Sequence, residues 1–555
     1  MKKAKLYILL ALILCSTIVT IALTASVLGI VVRRTYKSET NVQCDQGMLV
    51  CSISSDDLMK HLQQLQNIAD ECNGTRAIHT KGFNRTFDYI YSYLKTNTNL
   101  QVQTEFFPYM KFSLNGDPVL SATINGLEMN YTYGSGNDFI SLRNSGSSSL
   151  ATTFQLISMP AFGCEDSDWL NTTSSPSGKV VLIKRGVCTF TEKSILAAKY
   201  GVAGLLIYND GTSLDRYSPA SGRVDENVTF PALSLSYQVG TKLLNTIENL
   251  KTNVFIKIHL STSKYPEPVG NICAHTVTGN ATETIVIGSH TDSVPDGPGM
   301  NDDASGTATN LVLATNLARL FQSGSYPPYK YRVKFCWWGA EEVGLVGSEY
   351  HVSQATISTI PGERISDYLV NLNYDMLASP NFQMGIYDGN SVNFSTTPPS
   401  ALPGSIRLTQ LFRDWFISQN LPYTISELGG GSDYASFLAV GIAISGLNSG
   451  ISDRKPKAER DYYNRLLGQG KGGVANAEYD PCYHSDCDSL GNINPLGHEK
   501  LSKAAAYVLE YMGRHADLRS YLYPPEEIRR LEKVSSYRSR GYYDVQNEFY
   551  RRNDL

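Results

Sequence analysis

Thr284-Ile285-Val286-Ile287-Gly288-Ser289-His290-Thr291-Asp292 is the stretch on which the fold turns. Its apolar run, 284–287, predicts a strand, and His290 then falls at the strand's C-terminal end, where open α/β sheets bind their ligands. With an extended backbone His290 and Asp292 point to the same side, so the carboxylate can hold one imidazole nitrogen while the other binds a metal. A lone His-x-Asp is more simply a hydrogen-bonded strand end, so the case depends on what lies at the other strand ends.

Strand-like and helical patterns alternate downstream. A helical pattern over 304–321 is followed by strand patterns over 331–338 and 369–374, a helix over 405–419, a strand over 441–446 and a helix over 495–512. Such alternation predicts an α/β sandwich. Upstream, 56–94 reads as two amphipathic helices, with Leu58, Leu62, Leu65 and Ile68 on one face and Phe87, Ile90 and Leu94 on another, and 100–107 reads as extended. Between 136 and 265, Ser/Gly/Asn-rich stretches separate short β-branched runs, which marks an inserted domain of different architecture. No internal repeat is present. The expected division is an anchor or signal segment at 1–38, a first part of the α/β domain at 39–135, the insert at 136–265, the second part of the α/β domain at 266–515 and a tail at 516–555. The tail is rich in Tyr, Arg and Glu and is expected to be peripheral or partly disordered.

Four further stretches carry acids or histidine at predicted strand or helix ends. Asn301-Asp302-Asp303-Ala304 opens the helix at 304–321. That helix needs one capping carboxylate, which leaves Asp302 to bridge two metal ions. In Trp338-Gly339-Ala340-Glu341-Glu342, adjacent carboxylates repel unless a cation lies between them, so one can ligate while its neighbour takes a proton from water. Asn373-Tyr374-Asp375-Met376 ends another apolar strand. In Asp480-Pro481-Cys482-Tyr483-His484-Ser485-Asp486-Cys487 the two cysteines can close a small loop around His484, and a lumenal compartment favours a disulfide over a structural zinc site on both thiolates. Each stretch alone has a plain structural explanation. Together, His290, Asp302, Glu342, Asp375 and His484 give each of two zinc ions a nitrogen, a shared Asp and one further acid.

At 555 residues, 42% hydrophobic and 18% charged, the chain can bury a large core and form more than one domain. A formal net charge of −4 leaves no basic surface of the kind nucleic acid requires. Lys2, Lys3 and Lys5 precede an apolar run, 7–32, that is long enough to cross a bilayer, and Arg33, Arg34 and Lys37 follow it. An uncleaved anchor is favoured; cleavage near Val27 and Gly29 would release a soluble enzyme. Seven Asn-x-Ser/Thr triplets, at Asn73, Asn84, Asn130, Asn171, Asn227, Asn280 and Asn393, favour a lumenal catalytic domain in the secretory pathway, at the cell surface, outside the cell or in a vacuole. Nine cysteines lie beyond Cys15, so at least one is unpaired, and Cys336, inside the apolar segment 333–338, is the expected free thiol.

These five ordered motifs resemble those of the co-catalytic di-zinc aminopeptidases, the group that includes bacterial secreted leucyl-type aminopeptidases and fungal aminopeptidase Y, over roughly residues 56 to 515. The resemblance implies a three-layer α/β/α zinc-peptidase domain, phosphorylase/hydrolase-like, with a mixed, mostly parallel central sheet. It implies one zinc on His290 and Asp375, a second on Glu342 and His484, Asp302 as bridge, Glu341 as general base, and Tyr483 as an aid to the oxyanion. It further implies a cis peptide between Asp302 and Asp303, a substrate amino group near Glu341 and Asp375, and a peptide or protein substrate with a free N-terminus. The chain is expected to act as a monomer. Within the insert, Gly178-Lys179-Val180-Val181-Leu182-Ile183-Lys184-Arg185-Gly186-Val187-Cys188 with Lys193 and Ile207-Tyr208-Asn209 resembles a protease-associated domain, which implies a Cys164–Cys188 disulfide and a covered substrate entrance. One departure is Gly431, which stands where relatives often carry Arg. A glutamate-releasing carboxypeptidase on the same scaffold would need cations for a substrate carboxylate, and the metal-site motifs contain none. A receptor-like homologue would have lost ligands, and a glutaminyl cyclase would hold one zinc.

Overall fold

A computed structural model describes residues 48–148, 153–212, 214–392 and 397–535. The expected anchor at 1–38, the sequon at Asn393 and the tail beyond 535 lie outside them. Among the described residues no helix is long and apolar enough to cross a membrane.

The strand predicted from 284–287 runs over Asn280–His290 and lies inside an eight-stranded sheet. In order across the sheet the strands are Gln101–Leu114, Thr262–His275, Tyr331–Trp338, Asn280–His290, Tyr368–Tyr374, Ala443–Asn448, Gly385–Tyr387 and Thr424–Ser426. The four strands from Tyr331–Trp338 to Ala443–Asn448 are parallel. Antiparallel partners flank them on both sides, giving the mixed, mostly parallel sheet expected.

Period-two alternation sends neighbouring side chains into two separate cores. Ile285, Ile287, Phe335 and Trp337 pack with helices Ser55–Asp70, Lys81–Asn97, Ala304–Gln322, Ala401–Ser418 and Pro495–Arg514. Val286, Cys336 and Trp338 pack on the other face with Val346–Ile357 and Tyr434–Ala439. The result is a three-layer α/β/α sandwich. Each large apolar side chain so buried contributes about 1.5–3 kcal/mol against exposure, which keeps the sheet rigid behind its loops. The helices start where the chain supplies caps: Ser54 accepts from Asp57 N, Thr80 from Phe83 N and Asp303 from Gly306 N.

Gln101–Leu114 and Thr262–His275 pair residue for residue, from Gln101↔His275 to Leu114↔Thr262, and form a two-stranded stalk out of the main sheet. The insert at its end has its own eight-stranded sheet with helices Phe190–Lys199 and Tyr237–Glu248. Strands Val119–Ile124 and Leu127–Tyr131 pair within this second sheet, so the expected boundary at 136 falls inside it. The Ser/Gly signal begins only after two ordinary hairpin strands have passed.

Two expectations need correction. Cys336 is not a free thiol: it pairs across neighbouring antiparallel strands with Cys273, Cα–Cα 4.1 Å, in a disulfide. The free cysteine among the described residues is Cys72, which is buried. The start of the tail is also not peripheral. Leu518 and Leu522 of the short helix Leu518–Leu522 are fully buried, and the Tyr523 hydroxyl donates to Leu369 O at 2.8 Å and accepts from Ala443 N at 2.9 Å. Two apolar residues four apart were too few to register as a periodicity.

Candidate metal centre

The parallel strands end level with one another, His290 beside Trp338 and Gly288 beside Asn373, so the segments that follow them converge at one edge of the sheet. His290 Nε2 lies 3.2 Å from Asp302 Oδ1, 3.5 Å from Asp375 Oδ1 and 3.9 Å from Glu341 Oε2. His484 Nε2 lies 3.1 Å from both Asp302 Oδ2 and Glu342 Oε2. The structure therefore brings all five sequence-predicted donors and Glu341 together. They form two sets, His290/Asp302/Asp375 and Asp302/Glu342/His484, each with its donor atoms within 4.8 Å of one another and with Asp302 in common.

These donors fit a metal. His290 Nε2, Asp375 Oδ1 and Glu342 Oε1 are buried and make no hydrogen bond, which leaves them in need of another partner. Burial pushes Glu341 well above the ordinary carboxylate range, with His290 opposing and Asp375 and Asp433 adding to the rise. Glu342 is pushed up to about 7, by burial first and then by Asp302. Burial lowers the His484 imidazole, but Glu342 and Asp302 outweigh it and hold the ring at about 11. A buried cluster of like charges with this character calls for a cation.

The loops that carry the donors are over-determined. Asp303, fully buried, caps the Ala304–Gln322 helix through Oδ1, which also accepts from Met376 N at 3.1 Å, while Oδ2 accepts from His290 N at 3.2 Å; one carboxylate thus ties three donor segments. The Asp302–Asp303 peptide is cis. Asp488 accepts from Asn301 N at 2.9 Å and Asp302 N at 3.1 Å. Ser432 Oγ donates to Asp375 Oδ2 at 2.6 Å. The Cys482–Cys487 disulfide closes the loop around His484, whose φ is +56°, and the Tyr483 ring stacks on His484 with centroids 3.7 Å apart. Burial, Asp302 and Glu342 hold the Tyr483 hydroxyl well above its ordinary value, so it remains a proton donor. The Cys164–Cys188 disulfide lies in the insert.

Asp292 stands beside His290 and serves a second segment as well. Its carboxylate stands 3.7 Å from His290 Nδ1, and that nitrogen meets the Asp292 carbonyl instead, at 3.1 Å. The carboxylate accepts from Glu341 N at 3.2 Å and Glu342 N at 3.3 Å, so Asp292 orients the acidic turn as well as the imidazole.

Sequence reading missed Arg76. Fully buried, it donates to the carbonyls of Thr291 at 2.5 Å, Pro298 at 2.8 Å and Gly299 at 2.7 Å, clamping the loop between His290 and Asp302 from a segment more than two hundred residues upstream. Nothing in Gly74-Thr75-Arg76 announces this. With Nε, Nη1 and Nη2 all engaged on backbone, Arg76 is not placed to receive a substrate carboxylate.

Residues 271–509 match peptidase family M28, and residues 152–243 match the PA domain. An aminopeptidase of Pseudomonas aeruginosa is 32% identical over 483 residues, covering 86% of this chain and 84% of its own length. The chain belongs to peptidase family M28. A probable leucine aminopeptidase 2 of Aspergillus oryzae is 31% identical over 461 residues, covering 82% of this chain and 84% of its own. The solved zinc aminopeptidase of Bacillus subtilis shares the fold, with TM-score 0.57 and 19% identity over 86% of this chain and 99% of that one. In this M28 chain the family match begins on the stalk strand Thr262–His275 and runs through all five donors, and the PA match falls within the insert.

Proposed function

We propose that the chain is a zinc aminopeptidase in which His290, Asp375, Glu342, His484 and the shared Asp302 would hold two Zn2+ ions, and in which Glu341 is the general base. The observation that carries this reading is the pair of donor sets sharing Asp302, with Glu341 beside one of them. Zinc bound there supplies Lewis-acid polarisation of the scissile carbonyl and a nucleophile at neutral pH. Glu341, nearly dry at 5% exposure, takes the proton of the attacking water and delivers it to the departing amine. The Tyr483 hydroxyl donates to the oxyanion. Glu341 and Asp375 receive the substrate ammonium, which confines cleavage to the first peptide bond. Asp292 orients the turn that carries the base, and Ser432 orients Asp375.

The division into a peptidase domain interrupted by a PA insert belongs to the same proposal, with the insert hung between the two stalk strands. So does residence in the secretory pathway, secreted or vacuolar. It is supported by the exposure of all six described sequon asparagines, Asn73, Asn84, Asn130, Asn171, Asn227 and Asn280, and by the disulfides at Cys164, Cys273 and Cys482.

Two copies of one peptide, one acetylated at its N-terminus and one amidated at its C-terminus, separate the readings. The amidated copy should lose its N-terminal residue in mass spectra while the acetylated copy stays intact. Release of a C-terminal residue from the acetylated copy would make the enzyme a carboxypeptidase.

A further inference from the structure

The turn that carries Glu341 and Glu342 is held at several points. Gly344 N and Leu345 N both donate to Glu341 O, at 2.8 and 2.9 Å, and Val346 N donates to Ala340 O at 3.0 Å. Ala340 and Leu345 adopt φ of +64° and +59°, conformations that non-glycine residues keep only when their surroundings enforce them. From the peptidase side, Asp292 accepts the amides of Glu341 and Glu342, and Asn271 brackets the turn by accepting from Gly339 N at 3.0 Å and donating to Gly347 O at 2.8 Å.

One restraint comes from the other domain. Arg223 of the insert donates through Nη1 to the carbonyl of Val343, one residue beyond Glu342. Its backbone is fixed: residues 143 and 223 form a β-bridge flanked by Arg143 N to Gly222 O at 3.0 Å and Val224 N to Arg143 O at 3.0 Å. Lys264 on the stalk binds both sides of that bridge, donating to Asn144 O at 3.1 Å, Glu226 O at 3.0 Å and Val228 O at 2.7 Å. The guanidinium is thus delivered by an arm that cannot swing independently of the stalk.

We propose that Arg223 is a positioning residue for the catalytic turn: by binding the Val343 carbonyl, the insert sets the orientation of Glu341 and is a working part of the active site as well as a cover. This rests on Glu341 being the general base. A displacement of the base by about 1 Å costs up to roughly a hundredfold in rate, whereas the donors His290, Asp302, Asp375 and His484 lie outside the turn.

The test uses full-length Arg223→Met and Arg223→Lys with Glu341→Ala as control, an aminoacyl p-nitroanilide as substrate, zinc content, and hydrogen exchange of peptides covering 339–347. Arg223→Met should lower kcat by roughly ten- to a hundredfold with a smaller change in KM, keep its zinc in zinc-supplemented buffer, and exchange faster at 339–347 but not at 284–290. Arg223→Lys, which retains one donor, should recover part of kcat. If Arg223→Met does not fold, Arg223→Lys decides: a lowered kcat with full zinc and exchange raised only at 339–347 supports the proposal, and wild-type kcat overturns it. Wild-type kcat in a folded Arg223→Met also overturns it while a dead Glu341→Ala leaves the assignment of the base standing. Turnover in Glu341→Ala would instead remove that assignment.

Discussion

Glu341 and Glu342 are chain neighbours that face different partners, and the proposed division of tasks follows from that. Glu342 Oε2 stands 3.1 Å from His484 Nε2, among the metal donors, whereas Glu341 approaches no closer than 3.9 Å to His290 Nε2. Glu341→Ala should therefore keep both metals and lose roughly a thousandfold in kcat, a typical general-base contribution; zinc analysis alongside steady-state kinetics checks this, and zinc loss would make Glu341 a ligand. At this scale the sequence was legible wherever a donor follows an apolar strand, because the strand announces the end at which chemistry collects. It was illegible for the bonds of Arg76 to the Thr291, Pro298 and Gly299 carbonyls and of Arg223 to the Val343 carbonyl, which have no side-chain signature. Asp292 was half legible: its proximity to His290 followed from spacing, but its bonds to the Glu341 and Glu342 amides depend on a strand crossing that spacing cannot show.

Among the elements, the loop 480–488 does the most with the fewest residues. It supplies His484 and Tyr483, closes on the Cys482–Cys487 disulfide, and through Asp480 and Asp488 holds Asn301 and Asp302. The double substitution Cys482→Ser with Cys487→Ser should weaken zinc binding at the Glu342/His484 set by roughly 10–100-fold, as loss of support behind a ligand does, with the fold retained; competition against a chromophoric chelator measures it. Unchanged affinity would show that Asp480 and Asp488 alone hold the loop. The cysteines around His484 were readable as a loop because they are five residues apart, whereas the Cys273–Cys336 bond spans 63 residues and depends on strand order.

In the whole molecule the sandwich was readable because the strands buried on both faces are mostly apolar, despite Arg332, Lys334, Asn371 and Asn373, and the boundary of the insert was not, because its first two strands resemble any hairpin. The balance of charge at the sheet edge has a consequence for the entire fold. In chelated protein, Glu342 and Asp433 have folded-state pKa values raised to about 7, by burial first, from ordinary values of 4.5 and 3.8. Raised carboxylates contribute stability that is present below those ordinary values and is lost as pH climbs through about 7. His484, raised to about 11 from 6.5, adds loss in the same direction above neutrality, and Asp302, which is lowered, acts only below 3.8. The thermal midpoint of chelated protein should thus fall between about pH 5 and pH 8 more steeply than that of zinc-loaded protein; parallel curves would separate these acids from the metal.

The most direct test of the metal centre is anomalous diffraction at the zinc edge from crystals of the zinc-loaded chain. Two peaks should appear, one among His290, Asp302 and Asp375 and one among Asp302, Glu342 and His484, with Asp302 touching both. A single peak, or zinc bound elsewhere, would contradict the co-catalytic site.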